Sequence, residues 1–310
     1  MTGERLRLGR YTIELSNQGK VLFPDDGITK GDLVEYYARI AERMVPLVRE
    51  RPLSLERFPD GIDGQRVFQQ KIPAYFPAWI RRVEVRKEGG RLDHVVCENA
   101  ATLAYLANQA VITPHAWLSR ADRPEHPDQL VFDLDPAGDD FGAARAAARS
   151  VRTLLDELGL PAFLKTSGGK GLHVVVPLDR REDFDAVRSF ARDAAAELAR
   201  REPGRLTTEV RKAKREDRLF LDMGRNAYAQ TAVPPYAVRA RPGAPVATPI
   251  PWDRLDDRRL SPGRFTIRTV FDHLDPDPWK GIRRQARSLR QARARLAAVR
   301  EEGRPRGSRN

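Results

Sequence analysis

The sequence predicts an α+β fold, α/β-like through its middle. Three observations carry that reading. Short β-rich runs alternate with amphipathic helical stretches between residues 130 and 222. The first third interleaves several short strands with two helices. A chain of 310 residues with 41% hydrophobic side chains can bury one large core or two small ones.

The elements follow in order. A strand is expected near 11–15. Thr29 then caps a helix, with Asp32 three residues on as an acidic capping box. Leu33, Tyr36, Tyr37, Ile40, Met44, Leu47 and Val48 continue it at helical spacing. Strands are expected near 53–57, 66–71, 81–86 and 92–97. NAATLAYLANQA, residues 99–110, reads as a largely buried helix. LVFDLD, residues 130–135, reads as a strand. Asp139 or Asp140 caps an Ala-rich helix that ends near Gly159. Two short strands, 162–166 and 171–177, flank Ser-Gly-Gly-Lys, and a helix covers 184–201. RLFLD, residues 218–222, is a further strand. Residues 233–252 hold six prolines and read as an extended surface loop. A thin amphipathic helix over 282–300 uses Ile282, Ala286, Leu289, Leu296 and Val299, and the last ten residues read as disordered. The expected division is 1–282 as one domain and 283–310 as a basic helical or disordered tail.

Composition excludes several classes. No run of about 18 apolar residues is present, so no membrane span is expected. MTGERLRLGR has no apolar core of a secretory signal. A lone cysteine, Cys97, rules out a disulfide framework or a cysteine-based zinc site and reads as a core residue. A cytoplasmic, nucleoid-associated protein is expected. The net charge is +12, and residues 283–310 hold ten Arg against two Glu. Such a balance attracts polyanions, nucleic acid above all, although a basic tail also serves solubility.

The sharpest chemical feature is Asp133-Leu134-Asp135. In a strand both carboxylates share one face, roughly 7 Å apart at Cα. Carboxylates this close repel unless a cation bridges them, and oxygen donors suit Mg²⁺ or Mn²⁺. The other reading is a solvated strand end before Pro136. Asp222 repeats the arrangement, an acid closing an apolar run. Three carboxylates from neighbouring strands suffice for a two-metal nucleotidyl-transfer site. Thr166-Ser167-Gly168-Gly169-Lys170-Gly171-Leu172-His173 has neither Walker A nor dinucleotide-fold spacing. Its glycines let backbone amides face an anion, with Ser167, Lys170 and His173 as further donors; a plain hairpin is the alternative. His115, beside Trp117, reads as structural by its local pattern, and His94, His126 and His273 as structural or surface residues. Lys20 and Lys30 flank the first helix. Phe68 sits among basic and amide residues and reads equally as a base-stacking aromatic or a buried strand residue.

Seven blocks taken together resemble a known family. They are KVLFPDDGITKGDLVEYY, RPLSLERFPDGIDG, LVFDLDP, KTSGGKGLHVVVP, FLDMGRN, PPYAVRARPGAPVATPIPW and FTIRTVFDHL. In this order, over about residues 10–280, they resemble the polymerase domain of bacterial DNA ligase D, in the archaeo-eukaryotic primase superfamily. The resemblance implies a primase-type catalytic core of β-sheets flanked by helices, and a two-metal polymerase using Mn²⁺ or Mg²⁺ and NTP or dNTP. It implies a metal triad of Asp133, Asp135 and Asp222. Ser167, Lys170 and His173 resemble residues that hold the incoming triphosphate. Arg225 and Arg239 match arginines of the nucleotide pocket, with Arg241 close by, and His115 a histidine near the nucleotide. Asn17, Lys20 and Lys30 resemble a pocket for the 5′-phosphate of a DNA gap or end. Arg215 matches a loop residue that contacts primer or nucleotide. Phe68 matches a DNA-stacking aromatic, while Val67 stands where the family often has a second one.

The resemblance further implies ribonucleotide preference. It implies DNA with gaps, 5′-phosphorylated ends or overhangs as substrate, and partnership with Ku and an ATP-dependent DNA ligase in non-homologous end joining. Short-gap filling in excision repair is the alternative pathway. The blocks account for a polymerase without ligase or nuclease domains, which reads as a stand-alone form, one part of a split system or an excised domain. Two further readings are open: a D-x-D glycosyltransferase, which needs neither Asp222 nor a phosphate pocket, and a DNA-end-binding module without catalysis.

Overall fold

The computed structural model describes residues 4–302, apart from 88, 137 and 139. Asp139 and residues 303–310 of the expected tail therefore lie outside the described residues. The chain forms two compact units. One holds the residues up to Pro124, Lys165–Lys170 and Ala229–Pro278. The other holds Glu125–Leu164, Gly171–Tyr228 and the chain from Trp279 onward.

The first unit begins with a hairpin of β1 (Arg5–Leu8) and β2 (Tyr11–Glu14). A second short ladder pairs β3 (Val21–Phe23) with β4 (Ile28–Thr29). Thr29 then caps α1 (Lys30–Val48), and the reciprocal bonds with Asp32 are both made. Leu33, Tyr36, Tyr37, Ile40 and Met44 all point into the core, as the 3.6-residue spacing requires. β5 (Pro52–Arg57), β6 (Val67–Gln69), β7 (Arg82–Lys87) and β8 (Gly90–Val96) follow. Asn99 caps α2 (Ala100–Asn108), which packs on α1 and leads into β9 (Val111–Trp117). β5 is central, antiparallel to β9 on one side and to β8 on the other, with β6 folded onto its end. Its burial on both faces matches the apolar run PLSL. Cys97 is buried, and burial pushes its thiol up to about 12.

β10 (Ser119–Arg120) and β11 (Arg123–Pro127) lead to the second unit. There β12 (Gln129–Leu134) ends one residue before Asp135. Asp140 caps α3 (Phe141–Leu158), and Gly159 closes it in the left-handed conformation. β13 (Phe163–Thr166) and β14 (Leu172–Pro177) follow, β14 pairing antiparallel with β12. α4 (Phe184–Arg201) has the expected limits. The strand expected over 218–222 shrinks to β16 (Leu219–Phe220), parallel to β15 (Leu206–Thr207). The helix expected over 282–300 starts later. Residues Ile282–Gln285 form a 3₁₀ turn, and α5 runs Leu289–Glu302, packed on α3 and α4 through Leu289, Ala292 and Leu296.

The proline-rich stretch 233–252 is not a surface loop. Val233–Val238 and Ala244–Ile250 are buried, in the first unit, flanked by β17 (Thr231–Ala232) and β18 (Pro249–Ile250). Prolines bring apolar rings and no N–H to satisfy. Three amides pair across an irregular hairpin: Tyr236 N to Ala247 O at 2.6 Å, Arg239 N to Pro245 O at 2.8 Å and Ala247 N to Ala237 O at 3.0 Å. Among the described residues no helix is long and apolar enough to cross a membrane.

Candidate active site

In the second unit, antiparallel register sets Asp133 of β12 opposite His173 of β14. His173 Nε2 lies 3.3 Å from Asp133 Oδ1. On the other edge of β12, Asp222 forms an isolated antiparallel bridge with Asp133, so two acids stand opposite one another on neighbouring backbones. Arg225 Nε reaches Asp133 Oδ2 at 3.4 Å. Asp222 Oδ1 accepts the Gly224 N–H at 2.7 Å, which turns the chain into the short 224–226 helix. Asn226 fixes that turn to β12. Its Oδ1 accepts from Val131 N and its Nδ2 donates to Val131 O, both at 2.8 Å, so the side chain substitutes for a strand neighbour. Gly171 immediately precedes β14, where a Cβ would overlap the Leu134 carbonyl oxygen and stand 2.7 Å from Asp135 Oδ1, so only glycine fits.

Asp135 is exposed just past the strand, while Asp133 is 9% exposed. Among the described residues no three His, Cys, Asp or Glu side chains stand together as a ready cation cage. Instead Arg225 and His173 face the charge of Asp133. The donor chemistry, carboxylate oxygens on adjacent chain segments, fits a hard divalent cation.

In the first unit, the Ser167–Lys170 loop is built against Arg239. Thr166 exchanges two bonds with Thr248, N–H to O at 2.9 Å and Oγ1 from N at 3.0 Å. Ser167 Oγ accepts the Gly169 N–H at 3.1 Å, and Ser167 O accepts Arg239 Nη1 at 3.0 Å. Gly168 has φ +63°, and a Cβ there would stand 2.8 Å from Arg239 Cγ. Lys170 is exposed at the loop's end.

His115 on β9 stands in the same unit. Its Nε2 lies 3.0 Å from Glu56 Oε2, and Arg66 Nε lies 2.6 Å from Glu56 Oε1. Burial pushes the Glu56 carboxyl up, but the His115 hydrogen bond and the charges of His115, Arg66 and Arg239 outweigh it, so the group falls to about 2. Phe68 is 44% exposed and meets His115 edge-on at 5.7 Å. It is therefore not a core residue, and the Arg66 guanidinium stands over its ring at 5.5 Å.

Asn17, Lys20 and Lys30 are brought together by the β3–β4 ladder. Lys20 N donates to Asn17 O at 3.0 Å and Lys30 N to Lys20 O at 2.8 Å. Lys30 Nζ, in a residue only 5% exposed, donates to Ser16 Oγ at 3.1 Å. Burial lowers its pKa, and Lys20 lowers it further. Lys20 Nζ pairs with Asp60 at 2.7 Å. In the second unit, Arg215 braces its own loop. Nε donates to Glu209 O at 2.9 Å, Nη2 to Val210 O at 2.7 Å, and the guanidinium lies 3.8 Å over Phe220.

Residues 29–279 match the family model described as LigD, primase-polymerase domain. The chain belongs to the LigD primase-polymerase family. LigD of Mycobacterium tuberculosis, a multifunctional non-homologous end joining DNA repair protein, is 35% identical over 273 residues, which is 84% of this chain and 36% of that protein. Pseudomonas aeruginosa LigD is 35% identical over 272 residues, 86% of this chain and 32% of its own. The bifunctional LigD of Bacillus subtilis is 30% identical over 264 residues, 84% of this chain and 42% of that protein. The chain thus spans about a third of the length of the first two relatives. The solved polymerase domain of Mycobacterium tuberculosis ligase D, in complex with DNA, superposes with TM-score 0.83 at 32% identity, covering 89% of this chain and 99% of that one.

As a LigD-type primase-polymerase the chain is a nucleotidyltransferase by class, which removes the glycosyltransferase reading. Four groups of expected residues emerge. Asp133, Asp222, His173 and Arg225 meet in the second unit, with Asp135 two residues along. Ser167 and Arg239 meet in the first, and so do His115 and Phe68, and Asn17, Lys20 and Lys30. Arg215 joins none of them. Two structural partners lie outside the sequence reading. Glu56 is the one acid in the buried run of β5, a signal that was available. Asn226 looks like any polar residue after FLDMGR; its role depends on a backbone pairing that spacing does not reveal.

Proposed function

We infer that this LigD-family chain is a template-dependent polymerase. It extends DNA 3′ ends at gaps, 5′-phosphorylated ends and overhangs, with ribonucleotides preferred. Its setting is double-strand-break repair by non-homologous end joining, with Ku and an ATP-dependent ligase as partners. The observation that carries the reading is the bridge between Asp133 and Asp222, with His173 and Arg225 on the same carboxylate. The DNA bound to the solved relative and the end-joining names of the LigD proteins support it.

Two Mg²⁺ or Mn²⁺ ions held by Asp133, Asp135 and Asp222 would supply Lewis-acid activation of the primer hydroxyl and the triphosphate. The chain's own residues do the rest. Arg225 and His173 hold the Asp133 carboxylate in place and offer donors to phosphate oxygens. Ser167, Lys170 and Arg239 receive the triphosphate, Lys170 as an exposed point charge and Arg239 through a planar fork. His115, oriented by Glu56, donates to the ribose 2′-OH, the group that separates ribonucleotides from deoxyribonucleotides. Phe68 offers its exposed ring to a template base.

The test is extension of a labelled primer across a short gap with Mn²⁺ and either NTPs or dNTPs. Template-directed addition, faster with NTPs, is expected. DNA binding without extension would remove the polymerase reading. Extension with dNTPs preferred would remove the His115 assignment alone.

A further inference from the structure

Residues 279–300 carry Lys280, seven arginines and no acid, and none of the assignments above uses them. From residue 280 onward the chain also lies beyond the part that matches the family model. The structure divides these cations into two sets. One set turns inward. Arg293 Nη2 lies 2.7 Å from Glu182 Oε2, and Arg300 Nη1 lies 2.7 Å from Asp193 Oδ1, so both tie α5 to α4 and the turn before it. The other set turns outward. Arg284, Arg287 and Arg290 are exposed, and among the described residues no carboxylate pairs with them. Arg287 gives one N–H to the Ala286 carbonyl at 3.1 Å and keeps the rest of its donor fork.

The backbone that carries the outward set is fixed. Trp279 is buried, its Nε1 donating to Leu164 O at 2.9 Å, and Ile282 is buried three residues on. Arg287 runs parallel beside Leu178, just past β14. Its N–H donates to Pro177 O at 3.1 Å, and its carbonyl accepts from Asp179 N at 3.2 Å. Ser288 Oγ accepts the Arg290 N–H at 3.2 Å where α5 begins. Charges on so fixed a backbone lose less freedom on binding than charges on a flexible segment.

We propose that Arg284, Arg287 and Arg290 form a docking ridge for the sugar–phosphate backbone of double-stranded DNA, separate from the catalytic carboxylates. Arginine forks match phosphate oxygens, and each contact releases counterions from the duplex. Residues 280–300 contain no aromatic side chain. A single strand is gripped by stacking its bases on aromatics, whereas a duplex turns its bases inward and offers its phosphates. The exposed neighbours Gln285 and Gln291 add neutral donors and give a protein partner no apolar anchor. The choice of DNA over another polyanion rests on the polymerase reading.

The experiment uses the full chain and a blunt duplex with 5′-OH ends and no gap. Fluorescence anisotropy at several ionic strengths gives the slope of log affinity against log salt. Arg284→Ala/Arg287→Ala/Arg290→Ala should reduce the size of that slope by about 2–3, since each phosphate contact contributes about 0.9. Affinity should fall by about tenfold or more at low salt, equally for duplexes of unrelated sequence, with melting unchanged. Arg284→Lys/Arg287→Lys/Arg290→Lys should restore most of the slope. Arg300→Ala removes one charge from the inward set and should leave the slope as it is. On gapped DNA the triple alanine variant should raise the KM for DNA and keep kcat. An unchanged slope in that variant overturns the proposal and leaves the ridge to an acidic protein surface. A loss of slope in Arg300→Ala equal to that in Arg287→Ala overturns it as well, because net charge alone would then account for the binding. A chain whose slope depends on the three outward arginines but which adds no nucleotide keeps the ridge and loses the polymerase reading.

Discussion

Glu56 and His115 form a close pair across β5 and β9, with Nε2 to Oε2 at 3.0 Å. Arg66 closes the other side of the carboxylate at 2.6 Å. A carboxylate enters a buried strand only with such partners, because an unpaired charge there is too costly.

The pair makes a prediction about acid stability. Glu56 falls from 4.5 to about 2 in the folded chain. A depressed carboxyl stabilises the fold above its unfolded value and loses that contribution as pH falls through the folded one. Glu56→Gln should therefore cost on the order of 2 kcal/mol at pH 7. The difference from the parent should shrink from about pH 4.5 down to 2. Urea unfolding at several pH values measures it. A constant difference across that window would assign the cost to packing instead.

Asn226 predicts a purely structural loss. It is fully buried and bonds both backbone groups of Val131. Asn226→Ala leaves an N–H and a C=O of β12 unmatched, about 2–4 kcal/mol together. Thermal unfolding should show a clear drop in Tm. Loss of activity with an unchanged Tm would instead point to a direct role in chemistry.

The carboxylates predict separation of binding from chemistry. Asp135→Ala removes an exposed side chain just beyond β12, so the fold and DNA affinity should persist. Nucleotide addition should fall by about a thousandfold or more, the scale for losing a main electrostatic contributor. Single-turnover primer extension compares the two chains. Residual addition within about tenfold of the parent would take Asp135 out of the triad.

Much of this arrangement was legible in the residues. The capping box at Thr29, the limits of α4 and the Asp140–Gly159 helix depend on local rules that side chains announce. Asp133 and Asp222 stood out as acids closing apolar runs. The strand bridge that joins them spans 89 positions, and no local pattern encodes such a distance. The proline-rich stretch misled for a physical reason. Proline signals turns by its fixed φ, but its missing N–H also makes a buried irregular segment easier to satisfy. The two carbonyls that engage Arg215 within its own loop are likewise a matter of local folding that residue spacing does not reveal.

The last prediction concerns the 5′-phosphate. Lys30 is buried at the first turn of α1, where helix N–H groups favour an anion. Lys20 and Asn17 are tied beside it through the Lys30–Lys20–Asn17 backbone bonds. Burial, and after it the charge of Lys20, lowers the pKa of Lys30, and a dianionic phosphate offsets both. Lys20 is partly spent on Asp60, an exposed pair that contributes little to stability. Three outcomes follow for affinity toward gapped DNA with 5′-phosphate against 5′-OH. The unmodified chain should prefer the phosphate by about tenfold, the scale of one or two screened charge-assisted contacts. Lys20→Ala/Lys30→Ala should erase the preference. Asp60→Asn should enlarge it, because Lys20 no longer has to leave an acid to reach the phosphate. The preferences of the unmodified chain and of Asp60→Asn should both shrink as salt rises, since the contacts are partly exposed. Anisotropy titrations at two ionic strengths decide the matter. If Asp60→Asn leaves the preference unchanged while the double lysine variant abolishes it, Lys30 alone carries the phosphate and Lys20 serves the loop.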